Sequence, residues 1–389
     1  MSDKRRGTEF QPHAFRRKGN LILGAASEIV GPVLRPLARF ASRGLRSEPH
    51  QWRKGLILGH NHIGDVLYRT ASLPVLRSGL PECKWSYLTS PTAAPILEDN
   101  PDIDEILPWS RSLEAWDIDS SHRDELRKRE FDVVLCTNTL RHYPDLLLAT
   151  RLGIPNRVGF THKGLSALVT YPVPIEFPSS YAAYFRSMVA EVTNTAPDWS
   201  LAPQIFLSDD DRDEAAIGLR IARITPDMPF LACSLTTRQK RGNWPVRSMI
   251  SILREAKAMS DFQIVLCGPL DDAPDLQSFA AELGGEVKVI AGTLSLRGFA
   301  ALLERSATVF TLDSGPRHIG NAVGTHVIFA RNLSHSQVEA GQYCGTETDI
   351  APEGEYLNDA EIAAVAAKVP PRDVARIISA AVRSGETRA

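Results

Sequence analysis

Short apolar runs alternate with helix-length segments along most of this chain, and that alternation admits few folds. Gly55 to His60 (GLILGH) reads as a strand, followed by Gly64-Asp65 and a helical pattern through Val66, Leu67, Thr70, Ala71, Leu73 and Leu76. Further strands are expected at Trp85 to Leu88, Ile103 to Leu107, Phe131 to Cys136 and Arg157 to Phe160, with helices at Leu113 to Arg129 and Pro144 to Leu152. Strands separated by helices pair in parallel, and a parallel sheet is covered on both faces. The rhythm pauses between Thr161 and Pro203, where a helix over Tyr181 to Thr193 lies between proline-containing segments, and restarts at Phe230 to Ser234. A second set follows, with strands at Ile264 to Cys267, Val287 to Ile290, Thr308 to Leu312 and His326 to Phe329. Its helices fall at Val246 to Met259, Asp275 to Leu283, Leu296 to Arg305 and Gly315 to Val323.

The expected architecture is therefore α/β, with two doubly wound Rossmann-like domains at 55–203 and 204–355 facing across a cleft. A length of 389 residues suits two domains with an appendage. An extension precedes them at 1–54, and a helical segment follows at 356–389, with a helix over Asp359 to Val382 free to pack back on the first domain. Open α/β sheets bind ligands at the carboxyl ends of their strands.

Charge is the most uneven property of the chain. Residues 1–54 hold 12 Lys/Arg against 4 Asp/Glu, a net of +8, so the remainder carries −10 of the overall −2. Within this leader Ile22, Ala26, Ile29, Val30, Val33, Leu37, Phe40 and Ala41 follow a helix-like rhythm, with Arg35, Arg39, Arg43 and Arg46 on a spacing of their own. Residues 16–46 thus suit the interface of an anionic membrane. The alternative is an extension that packs its apolar stripe on the catalytic domain, and Pro32 and Pro36 argue against one continuous helix. The apolar run Leu21 to Ala26 is too short for a secretory signal, and no run reaches the roughly 20 residues that span a bilayer. Five scattered cysteines with no C-x-x-C pair fit a reducing compartment. A cytoplasmic location follows, peripheral on the inner face of the cytoplasmic membrane if the leader binds lipid. No feature points to nucleic acid.

Three loops carry candidate chemistry. Leu312-Asp313-Ser314-Gly315-Pro316-Arg317-His318 leaves a strand and enters a helix. Asp313 or Ser314 can cap, Gly315 admits a ligand to the backbone, Pro316 suits the first turn, and free N–H groups attract phosphate. Arg317 and His318 can add charge-assisted hydrogen bonds. Capping alone would also explain such a turn. The second loop, Asn61-His62-Ile63-Gly64-Asp65-Val66, lacks the G-x-G-x-x-G of a dinucleotide site, which disfavours a dehydrogenase. A carboxylate there can take a proton from an acceptor hydroxyl or simply cap the helix. The third, Thr236 to Pro245, holds Arg238, Lys240 and Arg241, which can neutralise a diphosphate or lie exposed without a ligand.

Together these loops resemble the heptosyltransferases of glycosyltransferase family 9, from about Gly55 to Arg331. The motifs occur in order: I-G-D-V at Ile63 to Val66, N-P-D-I-D-E-I at Asn100 to Ile106, R-V-G-F at Arg157 to Phe160, W-P at Trp244 and Pro245, S-L-R-G-F-A-A-L-L at Ser295 to Leu303, and D-S-G-P-x-H at Asp313 to His318. The resemblance implies a GT-B fold and an inverting, metal-independent transfer without a cofactor, in which Asp65 is the base. It implies ADP-heptose as donor and a lipopolysaccharide-type glycan or glycolipid as acceptor. It also places Asp313, Ser314, Gly315, Pro316 and His318 on the donor phosphates, with Thr236 and Lys240 or Arg241 beside them. Asp272, rather than Asp271, is expected on the ribose, and Asn61, His62 and Gly64 on the acceptor side. Two positions depart from the family. Gly242 stands two residues before W-P, where a lysine is common, and Asn61-His62 replace small hydroxyl residues. A second function remains open at this stage, a non-catalytic protein that binds sugar nucleotides or glycans on the same fold.

Overall fold

The computed structural model describes residues 18–41, 46–59, 62–109, 120–137, 143–161, 164–174, 179–237, 242–259, 261–284, 287–354 and 358–386. The chain divides into two compact units, Met1–Asp198 and Trp199–Ala389.

In the first unit six parallel strands are β1 (Lys54–Leu58), β2 (Lys84–Thr89), β3 (Glu105–Pro108), β4 (Val133–Cys136), β5 (Asn156–Gly159) and β6 (Tyr171–Pro172), ordered β3-β2-β1-β4-β5-β6. Leu56 pairs with Ser86 on one side and Val134 on the other, so β1 is central. Its residues Gly55 to Leu58 are buried throughout, as a strand covered on both faces requires. The expected helix after β1 is two, α2 (Ile63–Thr70) and α3 (Leu73–Gly79), because Pro74 begins a new helix rather than continuing the old one. Helices α4 (Ser120–Lys128), α5 (Tyr143–Leu152) and α6 (Tyr181–Thr193) complete the unit. Ahead of them α1 (Lys18–Ala41) runs unbroken through Pro32 and Pro36, against expectation. Both prolines are exposed, so the carbonyls that lose a partner to them are open to solvent.

The second unit repeats the plan. Strands β7 (Phe230–Ser234), β8 (Gln263–Gly268), β9 (Lys288–Ala291), β10 (Thr308–Leu312), β11 (Val327–Ala330) and β12 (Glu347–Asp349) are parallel in the order β12-β11-β10-β7-β8-β9. Counted within the unit, this is the same order as in the first, with the direction of strand addition reversing between β7 and β10 as it does between β1 and β4. Helices α8 (Val246–Met259), α9 (Ala273–Leu283), α10 (Leu296–Arg305) and α11 (Gly315–Ala322) lie where the periodicity places them. Helix α7 (Asp209–Ile221) was not expected, although Ser208 accepts from the Asp211 N–H and Asp211 reaches back to the Ser208 N–H, a capping box written in S-D-D-D. The short helix α12 (Gln337–Ala340) and strands β6 and β12 also escaped the sequence, being too brief to show a period.

The closing segment is two helices, α13 (Asp359–Ala366) and α14 (Pro371–Glu386), separated at Pro370-Pro371. Val374, Ala375, Ile378 and Val382 recur at helical spacing and lie in the core of the second unit with Met249, Leu253 and Phe310, so the apolar face of α14 is used up there. Among the described residues no helix is long and apolar enough to cross a membrane, and all five cysteines are buried and free.

Candidate functional site

The described residues among those expected cluster at the carboxyl ends of the two sheets, one cluster in each unit. In the first, Gly59 ends β1 by donating its N–H to the Leu88 carbonyl at 2.8 Å. No other residue fits, because a Cβ would stand 2.1 Å from Tyr87 Cε1. His60 and Asn61 lie outside the described residues. His62 is the N-cap of α2, extended and exposed, with no side-chain cap bond. Asp65 sits one turn in, half-buried, so it is not the cap.

What Asp65 does instead is hydrogen-bond within its own helix. The Tyr68 hydroxyl donates to Asp65 Oδ1 at 2.7 Å. Arg69, fully buried, donates from Nη1 to the Asp65 carbonyl at 2.7 Å and from Nη2 to the Thr137 carbonyl at 3.0 Å, joining α2 to the end of β4. Burial pushes the Tyr68 hydroxyl well above its ordinary value, with Asp65 adding to the rise, so it is a neutral donor at any physiological pH. Burial alone would weaken the charge on Arg69, but Tyr68, Tyr87 and Asp65 outweigh it and the guanidinium stays protonated. A carboxylate held by a neutral donor from the next turn is kept in one rotamer. Sequence reasoning found Asp65 and missed Tyr68 and Arg69, although spacings of three and four residues on a helix bring such groups together.

In the second unit the loops after β8, β7 and β10 lie on adjacent strands. Thr236 follows β7. An added Cβ at Gly268, the last residue of β8, would stand 3.6 Å from both Thr236 Oγ1 and Asp272 Cβ, so these two expected residues share one glycine. Asp272 is half-buried at the start of α9. Lys240 and Arg241 fall outside the described residues. Gly242 has φ +83°, accepts at its carbonyl from the Leu333 N–H at 2.8 Å, and would place a Cβ 1.9 Å from Asn332 Oδ1. Its backbone region favours glycine and its side-chain space is already filled. The missing family lysine therefore has a local cause, since nothing larger fits at this position.

Beyond β10, Ser314 is the N-cap of α11 in an extended conformation with no side-chain cap bond, and a proline occupies the first turn. Asp313 to Pro316 and His318 are half-buried. The helix start thus presents backbone N–H groups that no capping side chain satisfies, together with the positive end of the dipole. Arg317 departs from the expectation that it would bind a ligand. It is buried, and all five of its N–H groups are committed: Nε to Glu347 Oε1 at 2.7 Å, Nη2 to Glu347 Oε2 at 3.0 Å and to the Gly341 carbonyl at 2.7 Å, Nη1 to Asp313 Oδ1 and the Ala340 carbonyl, both at 2.8 Å. Its guanidinium carbon also stacks 3.5 Å from the Phe329 ring centre. A guanidinium has no donors beyond these.

Asp313 belongs to the same cluster. Burial would raise its carboxyl, but Arg317 and His318 outweigh that and hold it below the usual carboxylate range. For Arg317 burial opposes the charge, and Asp313 with Glu347 more than restores it. His318 Nδ1 lies 2.7 Å from the Tyr343 hydroxyl. Asn321 Nδ2 donates to Glu347 as well, and the Tyr343 N–H donates to Glu347 Oε2 at 2.9 Å. Tyr343 and Glu347 had no signal in the sequence, because they meet the turn from some 25 to 30 positions away.

A groove of about 1310 Å³ opens elsewhere, at the amino ends of the second sheet, lined by Thr225, Phe230, Ala307, Thr325 and His326 among others. None of the expected residues lines it, and the helix starts that attract anions lie at the opposite end of the strands. Among the described residues no group of three or more His, Cys, Asp or Glu is placed to hold a metal ion.

The family model for glycosyltransferase family 9 (heptosyltransferase) matches residues 120–329, more than half of the chain. The chain belongs to glycosyltransferase family 9. No curated protein matches this family 9 chain in sequence, whereas solved structures do so in shape. A glycosyltransferase family 9 protein of Veillonella parvula DSM 2008 matches with a TM-score of 0.68 at 16% identity, over 89% of this chain and 100% of the other. ADP-heptose LPS heptosyltransferase II of E. coli matches at 0.66 and 16%, over 86% and 99%. E. coli heptosyltransferase WaaC with ADP matches at 0.61 and 18%, over 84% and 99%. These likenesses give the fold, GT-B with two parallel six-stranded sheets flanked by helices, and the family membership makes this chain a glycosyltransferase.

Proposed function

We propose that this glycosyltransferase moves heptose from ADP-heptose to a lipopolysaccharide-type glycan acceptor, with inversion at the anomeric carbon. The observation that carries the donor side is the start of α11, where an uncapped helix begins at the carboxyl end of β10 on a serine and a glycine. A diphosphate there meets backbone N–H groups and the helix dipole. Ser314, Gly315 and His318 contact the phosphates in this reading, while Asp313 acts through Arg317 to hold the turn. Thr236 and Asp272 meet the nucleoside, Asp272 its ribose, and Lys240 or Arg241 adds positive charge to the leaving group. E. coli heptosyltransferase WaaC was solved with ADP and with ADP-2-deoxy-2-fluoro heptose, ligands of the class proposed.

On the other side of the reaction Asp65 accepts the proton of an acceptor hydroxyl, with His62, Gly64 and Asn61 around the acceptor sugar. The hydroxyl oxygen forms a bond to the anomeric carbon as the bond from that carbon to the diphosphate oxygen breaks. ADP departs with the bonding pair, and a single displacement inverts the centre.

Thermal-shift measurements with ADP, UDP, GDP and their sugars test the donor, because a ligand bound only by the native state raises the melting point. ADP and ADP-heptose are expected to shift it most. A larger response to UDP- or GDP-sugars would replace the donor, and a product with retained anomeric configuration would refute the single displacement.

A further inference from the structure

Among its described side chains, helix α1 is bound to the first unit along one side. Ser27 Oγ accepts from the Leu165 N–H at 3.1 Å. Glu28 accepts from the Ser166 N–H at 2.9 Å and from the Ser166 hydroxyl. Gly31 is buried, and a Cβ there would stand 3.3 Å from Ala167 Cβ. Leu34 packs against the core of the unit. At roughly 100° per residue these four positions share one side of the helix.

Ile22, Ile29 and Val33, spaced seven and four apart, fall on the opposite side and are 68%, 77% and 71% exposed. Ala25, Ala26, Pro32 and Pro36 extend the same exposed strip. Three aliphatic side chains in register, each turned to water, mark a surface meant for an apolar neighbour.

Charge selects that neighbour. The leader holds 12 cations and four carboxylates, and Glu28, the only carboxylate within α1, is spent on Ser166 at the docked side. The outward side is left apolar within a strongly basic segment. A second copy of the chain would bring two such basic segments together, at an electrostatic cost. A protein partner of ordinary type would favour aromatic anchors and hydrogen-bonding groups, and Ile22, Ala25, Ala26, Ile29 and Val33 offer neither. An anionic bilayer supplies apolar depth and phosphate at one surface.

We propose that α1 lies in the plane of an anionic membrane, with Ile22, Ile29 and Val33 entering the interface, the basic leader on the lipid phosphates, and Ser27, Glu28, Gly31 and Leu34 holding the first unit to it. This anchor is independent of the donor assignment and of Asp65.

Flotation of the full chain with phosphatidylglycerol-rich vesicles tests it, against vesicles of phosphatidylcholine alone. The wild type is expected to float with the first, to be released by salt, and not to float with the second. Ile22→Ser, Ile29→Ser and Val33→Ser combined should weaken binding more than tenfold while leaving the melting temperature in the absence of lipid unchanged, which shows the fold intact. Val33→Trp should give blue-shifted emission on the anionic vesicles. Equal flotation of the triple variant, flotation indifferent to lipid charge, or unshifted Trp emission would overturn the proposal. So would a wild-type dimer that the triple substitution converts to a monomer without any lipid binding.

Discussion

The two units use one strand order for opposite electrostatic purposes. At the reversal between β1 and β4 the first helix carries a carboxylate, Asp65, fixed by Tyr68 and Arg69. At the equivalent reversal between β7 and β10 the helix α11 begins with an uncapped serine and glycine, and its cation, Arg317, is buried beneath. In the proposed reading one scaffold offers a proton acceptor in the first unit and an anion cradle in the second. The polarity is set by the first turn of a single helix in each, because that turn projects from the carboxyl end of the sheet. In both units a buried arginine supports the turn without presenting its charge, Arg69 through carbonyls and Arg317 through carboxylates.

Asp65→Asn strikes this contrast hardest. It should lower kcat by about 10²- to 10⁴-fold, the range of general-base catalysis, while ADP still raises the melting point. Near wild-type turnover would show that the first unit supplies no base. Arg317→Met should next destabilise the protein by about 3–5 kcal/mol, because Glu347 and Asp313 would be left buried without a counter-charge. Urea denaturation reads this, and an unchanged midpoint would mean that the cluster is not the support of the turn. Tyr68→Phe should cut turnover about tenfold, the effect of one hydrogen bond to a charged group. Unchanged turnover would separate Tyr68 from the chemistry.

The smallest effect concerns acid stability. Asp313 is held below its ordinary value, so its contribution is complete above about pH 4 and is lost as pH falls through the lower folded value. Denaturation midpoints of Asp313→Asn should therefore fall less steeply between neutral and acid pH than those of the wild type. Parallel slopes would remove Asp313 from the acid response.

Most strands and helices were legible because a strand buried on both faces must be a continuous apolar run, as in F-L-A-C-S and T-V-F-T-L. The elements that escaped show the limits of that signal. β6 and β12 have two and three residues, too few for a pattern. Helix α7 was written in its capping box and overlooked because its body is acidic at the start and weakly apolar after. Among the site residues, Asp65, Thr236, Asp272 and Asp313 to His318 stand out at strand ends, where position alone suggests chemistry. Their partners did not. Tyr68 reads as one more residue of an apolar helix face, and Glu347 as part of a polar loop.

Residue order alone thus determined two parallel sheets, the turns at their carboxyl ends and a basic leader with an apolar rhythm, since each is a matter of local period, capping or charge. The folded chain decided where those side chains point. It turned Arg317 inward onto Glu347, 30 positions away, closed the space at Gly242 with Asn332, and divided α1 into a docked side and an exposed one. Such choices depend on which distant groups arrive beside a residue, and burial makes a charge accept whatever partner the fold brings.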